Sequence, residues 1–159
     1  MKARILLVDD HEVVREGLKI LLLDARSEWE ISGESSTGAD AVEQVQILNP
    51  DIVLLDISLP GMSGLEASVR MRTRGVSCPI LIFTTHQSER LADEVRKAGA
   101  QGLVTKSQAF HDLVRAIDAL LKGGTFFGTP LGQEPKPEEP KSGMIYCWAL
   151  RCVHSMTLA

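Results

Sequence analysis

The sequence predicts an α/β domain, a five-stranded parallel sheet in the order 2-1-3-4-5 with helices on both faces. Short, fully apolar runs alternate with amphipathic stretches up to about residue 128. Such runs suit strands buried on both faces better than an antiparallel sheet with one wet face. The apolar residues are mostly Val, Leu, Ile and Ala, with only 4% aromatics, as such a sheet requires. At 159 residues the chain has room for one domain, which needs neither disulfide nor metal to fold.

Residues 4–8, RILLV, read as the first strand. The helix after it places Val14, Leu18, Leu21 and Leu22 at i, i+4, i+7 and i+8, on one side. Residues 30–34, EISGE, form a weak second strand. The second helix carries Ala41, Val42, Val45 and Leu48 and stops before Asn49-Pro50. DIVLL, 51–55, is the third strand. Ser63-Gly64-Leu65-Glu66 then has the spacing of a capping box, which satisfies free N–H groups at a helix start. PILIF, 79–83, is the fourth strand, followed by a helix over 88–98 with Leu91, Val95 and Ala98 on one face and Gly99 at its end. GLVT, 102–105, is the fifth strand, and the last helix, 109–122, lines up Phe110, Leu113, Val114, Ile117 and Leu121. Right-handed crossovers bring every strand's carboxyl end to one edge of the sheet, where ligands bind on such folds.

Net charge is −4, from 17 basic and 21 acidic residues, with no sign of the basic face that nucleic acid needs. Cys78, Cys147 and Cys152 are odd in number and widely spread, which argues against a disulfide framework and for a reducing, cytoplasmic setting. MKARILLVDD has a run of only four apolar residues before two acids, too short for a signal peptide or membrane span. Composition changes after Gly128. The expected organisation is a domain over 1–128, a Pro/Glu/Lys-rich linker over 129–143 with four of the seven prolines, and an apolar tail over 144–159 with no assigned role. In that tail Cys147, Cys152 and His154 supply two thiols and one imidazole, too few for a closed zinc site.

Strand 1 ends in Asp9-Asp10, strand 3 in Asp56, strand 4 in Thr84-Thr85 and strand 5 in Thr105-Lys106. Three carboxylates, three hydroxyls and one ammonium are therefore expected in one shallow cleft. Clustered carboxylates repel, and a hard divalent ion with oxygen ligands relieves that repulsion. Few protein ligands plus water suit Mg²⁺ better than a full Ca²⁺ cage. Each residue also has an ordinary reading. Asp9 or Asp10 would cap the helix beginning near His11, Thr84 would be a plain strand-end hydroxyl, and Lys106 an exposed loop lysine. His11 reads as a solvated helix-start residue, because Mg²⁺ prefers oxygen.

LLVDDHEVVREGL, DIVLLDISLPGMSGLE, ILIFTTH and AGAQGLVTKS, in that order, resemble the receiver domain of bacterial two-component response regulators. VDDHEVVREGL and GGTFF resemble its NarL/FixJ branch, which usually carries a C-terminal LuxR-type helix-turn-helix. The resemblance covers residues 1 to about 128 and implies a flavodoxin-like (βα)5 fold. It implies that Asp56 accepts a phosphoryl group from a sensor histidine kinase or phosphotransfer protein. Asp10, Asp56 and the backbone carbonyl of Ser58 would hold Mg²⁺ directly, and Asp9 through water. Lys106 would pair with a phosphoryl oxygen, while the Thr84 hydroxyl and Thr85 N–H would contact the new group. Ser58 and His86 stand where the family flanks the attacking water.

The implied activity is a signalling switch with Mg²⁺-dependent self-phosphorylation and autodephosphorylation, not a metabolic enzyme. Its output would run to a downstream protein through helix 4, strand 5 and helix 5, or through helices 1 and 5 in a homodimer. Two positions depart from the family pattern. Leu103 stands where many receivers place a rotating Tyr or Phe, and Ser107 where many relatives have proline. A loop shift or an altered oligomer contact is then expected to carry the signal. Residues 129–159 are too few for a linker and a helix-turn-helix, so no DNA binding is expected of this chain alone. The alternative is a truncated form of a LuxR-type DNA-binding regulator. A nucleotide binder on the same fold would need a Gly/Ser/Thr-rich phosphate loop after strand 1, where this chain has Asp9-Asp10.

Overall fold

Side chains of a strand alternate between the two faces of its sheet, and here both faces are apolar. A computed structural model describes residues 2–127 apart from Gln87, Glu89, Gln108 and Ala109. The expected linker over 129–143, the tail over 144–159 and its Cys147, Cys152 and His154 lie outside the described residues. Strands and helices alternate along the chain: β1 (Ala3–Val8), α1 (Glu12–Ala25), β2 (Trp29–Ser35), α2 (Gly38–Leu48), β3 (Ile52–Leu55) and α3 (Gly64–Thr73). They continue with β4 (Ile80–Thr84), α4 (Leu91–Lys97), β5 (Gly102–Thr105), α5 (Phe110–Leu121) and β6 (Phe126–Phe127).

The strands pair in the order β2-β1-β3-β4-β5-β6, every pair parallel. The α/β class and the order of the first five strands are as the sequence predicts; the sixth strand is an addition. Phe126 and Phe127 pair with Gly102 and Leu103 at the free edge beyond β5. Two residues are too few to show any alternation, so a strand this short leaves no periodic signal. It is held from the side as well, because the Arg96 guanidinium of α4 lies 4.0 Å from the centre of the Phe127 ring.

Ile5, Leu7, Ile52, Leu54, Leu81 and Val104 pack with Leu18 and Leu22 of α1 and with Leu113 and Ile117 of α5. Leu6, Val8, Val53, Leu55, Ile80, Ile82 and Leu103 pack with α2, α3 and α4 through Val42, Val45, Met71 and Val95. Each fully buried Leu or Ile contributes about 1.5–3 kcal/mol of transfer free energy. These two layers hold the strand ends in place.

β2 is the weakly patterned edge strand. Its register with β1 jumps between Ile5 and Leu6, leaving Ser32 unpaired in a bulge whose hydroxyl donates to the Ile5 carbonyl. That bulge explains why EISGE lacks clean alternation. The capping box at α3 is only half made. The Ser63 hydroxyl accepts the Glu66 N–H at 3.2 Å, but the Glu66 carboxylate turns to Arg70 at 2.7 Å. Gly99, at φ +82°, follows α4 in the left-handed conformation that a C-terminal cap needs. No helix among the described residues is long and apolar enough to cross a membrane.

Candidate functional site

The carboxyl ends of β1 and β3 are adjacent strand ends, with Val8 paired to Leu55. The chain leaves β1 as Asp9 and β3 as Asp56, and both carboxylates are buried, at 2% and 4% exposure. Burial of two like charges is costly without a partner. The partner is Lys106, just past β5. Its Nζ donates to Asp9 Oδ2 at 2.5 Å and to Asp56 Oδ2 at 3.0 Å. The lysine main chain is pinned too, its N–H donating to the Thr84 carbonyl at 2.7 Å. Burial pulls the Lys106 pKa down, but the hydrogen bonds it donates to Asp9 and then Asp56, with their charges, outweigh it and leave a net rise.

Asp10 is exposed, and His11 stands between the acids. Its ring Nδ1 lies 3.1 Å from Asp9 Oδ1 and 3.0 Å from Asp10 Oδ1, and its N–H donates to Asp9 Oδ1 at 2.8 Å. The sequence reading of His11 as a solvated helix-start residue holds for its position, since it is the exposed N-cap of α1. Neither Asp9 nor Asp10 caps that helix in the usual sense: α1 has no side-chain cap bond, and Asp9 instead serves the His11 amide.

The loop after β3 turns back against the strand end. The Ser58 N–H donates weakly to Asp56 Oδ1 at 3.3 Å. Gly61 takes φ +79° in the Pro-Gly turn, and the Gly64 N–H donates to the Ile57 carbonyl at 2.9 Å. A Cβ on Gly64 would stand 2.0 Å from the Asp56 carbonyl oxygen, so only glycine lets α3 begin this close to β3. Thr84 is fully buried at the end of β4, and its Oγ1 accepts the His86 N–H at 3.2 Å. Thr85 is exposed beside it. The Ser58 hydroxyl meets the His86 Nε2 at 2.9 Å across the cleft.

Sequence reasoning did not find Arg15 and Glu34. Arg15 Nη1 donates to the Asp9 carbonyl at 2.5 Å, and its Nε to Glu34 Oε2 at 3.1 Å. The spacing that places Arg15 one helical turn after His11 was the available signal.

Residues 5–118 match the family described as the response regulator receiver domain. The chain belongs to that family. The transcriptional regulatory protein YdfI of Bacillus subtilis is 40% identical over 120 residues, which are 76% of this chain and 55% of that protein. The nitrate/nitrite response regulator protein NarL of Escherichia coli is 36% identical over 121 residues, 76% of this chain and 56% of its own. A solved two-component response regulator of the LuxR family from an Aurantimonas species superposes with a TM-score of 0.75. That structure shares 40% identity, and the match covers 79% of this chain and 89% of that one. The receiver spans a little over half the length of these curated relatives.

Receiver domains generally bind Mg²⁺ at an acidic pocket, and this receiver has an Asp-rich cluster just past the ends of β1 and β3. The donor set fits such an ion. Ligand atoms of Asp9, Asp10, His11 and Asp56 all lie within 4.8 Å of one another. Three carboxylates against the Lys106 ammonium leave two negative charges, the complement of one divalent cation. Carboxylate oxygens are the ligands that hard Mg²⁺ prefers.

Proposed function

We propose that this receiver accepts a phosphoryl group on Asp56 from a sensor histidine kinase or phosphotransfer protein, in the presence of Mg²⁺. The observation that carries the reading is the buried Asp56 carboxylate, 3.0 Å from Lys106 and clustered with Asp9 and Asp10 at one sheet edge. A desolvated carboxylate beside compensating positive charge is a competent nucleophile. An Asp56 oxygen attacks phosphorus while the bond from phosphorus to the donor histidine nitrogen breaks. Phosphoryl transfer asks the protein mainly for alignment and charge stabilisation.

Asp10, Asp56 and the Ser58 carbonyl would hold Mg²⁺ directly and Asp9 through water. The ion, when bound, neutralises charge on donor and nucleophile. Lys106 pairs with an oxygen of the transferred group, and Thr84 and Thr85 supply a hydroxyl and an N–H. Ser58 and His86 flank the line of attack of hydrolytic water and set the lifetime of the phosphoryl group.

The phosphoryl group carries about −1.5 to −2 charges and replaces the single charge of the Asp56 carboxylate, so the strand ends gain about one negative charge. The Thr84 hydroxyl then turns toward it, and the β4–α4 loop follows. Output runs through α4, β5 and α5 to a downstream protein, or through α1 and α5 in a homodimer. With Leu103 in place of a rotating aromatic, the loop carries the signal. The setting is cytoplasmic.

Incubation with acetyl phosphate and Mg²⁺, followed by intact mass, tests the reading. One phosphoryl adduct is expected, absent in Asp56→Ala and suppressed by EDTA; an adduct that persists in Asp56→Ala overturns it. A second reading takes this chain as part of a LuxR-type DNA-binding regulator, favoured by identity to proteins described as transcriptional regulators. The chain alone is expected not to bind DNA. Saturable, sequence-specific retardation of genomic fragments would reverse that expectation.

A further inference from the structure

We infer that Arg15 is a positioning residue for the acidic pocket, setting the aim of Asp10 through the backbone of Asp9, with Glu34 orienting Arg15. The inference rests on the Mg²⁺ reading of that pocket.

Among the described residues Asp10 has little to hold its carboxylate: it is exposed, and the contact it makes there is with the His11 ring at 3.0 Å. Its direction must therefore come from the main chain before it. Both backbone groups of Asp9 are committed: the N–H donates to the Ser35 carbonyl of β2 at 3.1 Å, and the carbonyl accepts Arg15 Nη1 at 2.5 Å. The peptide joining Asp9 to Asp10 is planar, so holding that carbonyl oxygen fixes the plane from which the Asp10 side chain departs.

Arg15 is itself held. Its side chain is 15% exposed, and its Nε donates to Glu34 Oε2 at 3.1 Å. The other Glu34 oxygen accepts Lys19 Nζ at 2.7 Å. Hydrogen bonding by Lys19 first, then by Arg15, outweighs the opposing effect of burial and holds the Glu34 pKa below the usual carboxylate range. Glu34 thus remains an anionic acceptor at neutral pH. The chain of contacts runs from β2 through the first turns of α1 to the peptide that carries a metal ligand. Groups placed in this way behind a ligand typically change metal affinity 10–100-fold when removed.

Charge alone predicts the opposite sign. Arg15 is a cation near the pocket, so its removal by electrostatics would strengthen binding of a divalent cation. A positioning role weakens it.

The test is the thermal midpoint of the full chain against Mg²⁺ concentration, since an ion that binds only the folded state raises that midpoint saturably. Arg15→Met is expected to need about tenfold more Mg²⁺ than wild type for half-maximal stabilisation. Arg15→Lys recovers part of the loss. Glu34→Gln shifts the half-point the same way by a smaller factor, and it carries the test if Arg15→Met does not fold. With acetyl phosphate as donor, Arg15→Met raises the Mg²⁺ concentration for half-maximal rate while the rate at saturating Mg²⁺ stays within about twofold of wild type. A half-point unchanged or lowered in both variants overturns the inference, as does a wild-type midpoint that ignores Mg²⁺. The phosphoacceptor reading is judged separately, by the mass adduct on Asp56, so the two failures are distinguishable.

Discussion

The ammonium of Lys106 lies 3.0 Å from the carboxylate of Asp56, across fifty residues of chain. The same nitrogen reaches Asp9 at 2.5 Å and sits 5.7 Å from the centre of the Phe83 ring. One cation thus compensates two buried carboxylates.

Lys106→Met leaves those carboxylates without their counter-charge. Loss on the order of 2–3 kcal/mol is expected in urea unfolding without divalent ions. Mg²⁺ is then expected to stabilise the variant more than the wild type, because the pocket carries one more uncompensated negative charge. Equal Mg²⁺ stabilisation of both proteins would count against the site. Because the folded pKa of Lys106 is raised, its contribution is fully present below the ordinary lysine value of 10.5 and is lost as pH rises through the higher folded value. On the alkaline side, the stability gap between wild type and variant should therefore close only in strong alkali.

Gly64 and Gly17 separate two reasons for a glycine. A Cβ on Gly64 meets the Asp56 carbonyl oxygen at 2.0 Å, whereas one on Gly17 meets nothing within 4 Å. Gly64→Ala must push α3 away from β3, so a loss of about 2 kcal/mol or more is expected, with a weaker response to Mg²⁺. Gly17→Ala, inside α1, should stabilise by about 0.5–1 kcal/mol through helix propensity. Urea denaturation of both variants decides the point; equal effects of the same sign would contradict the close-approach account.

The same contrast marks how much was legible in the sequence. IVLL announces a strand buried on both faces, and Asp56 at its end announces the cleft, because both follow from local pattern. The strand-end residues Asp9, Asp56 and Lys106 could be grouped once the crossovers were inferred, since topology alone brings parallel strand ends together. The close seating of α3 on Asp56 depends on a three-dimensional distance, and SLPGMSG shows only the turn and the cap. Glu66 matches the capping-box spacing, yet the competing cation at Arg70 takes its carboxylate. Arg15 in VDDHEVVREGL reads as one more charged helix residue, because its partners Asp9 and Glu34 come from two different strand ends. Phe126-Phe127 is too short for any period, and its pairing is set by the free edge of β5.

Glu34 gives a pH signature on the acid side. Its folded pKa is depressed, so its contribution is present above the ordinary value of 4.5 and fades as pH falls through the lower folded one. Its side chain is 31% exposed, which keeps the contribution below about 1 kcal/mol. Stability of wild type and Glu34→Gln, followed by urea unfolding across this range, should differ at neutral pH and converge in acid. A gap that persists unchanged to low pH would assign the effect of the variant to something other than charge.

The Thr84 hydroxyl is engaged with the His86 amide at 3.2 Å, while the His86 ring holds the Ser58 hydroxyl at 2.9 Å. If the hydroxyl turns to a phosphoryl group on Asp56, the His86 amide loses its acceptor. Amide hydrogen exchange at His86 is therefore expected to speed up on phosphorylation, and Thr84→Ala should raise it without any phosphoryl donor. Ser58→Ala releases the ring from the opposite wall and should raise exchange further in the unphosphorylated protein. The buried strand amides on either side, such as those of Val53 and Ile82, should stay protected throughout, because they belong to the sheet ladder. Exchange at His86 that is indifferent both to acetyl phosphate and to Thr84→Ala would mean the loop does not read the state of Asp56 through this hydroxyl.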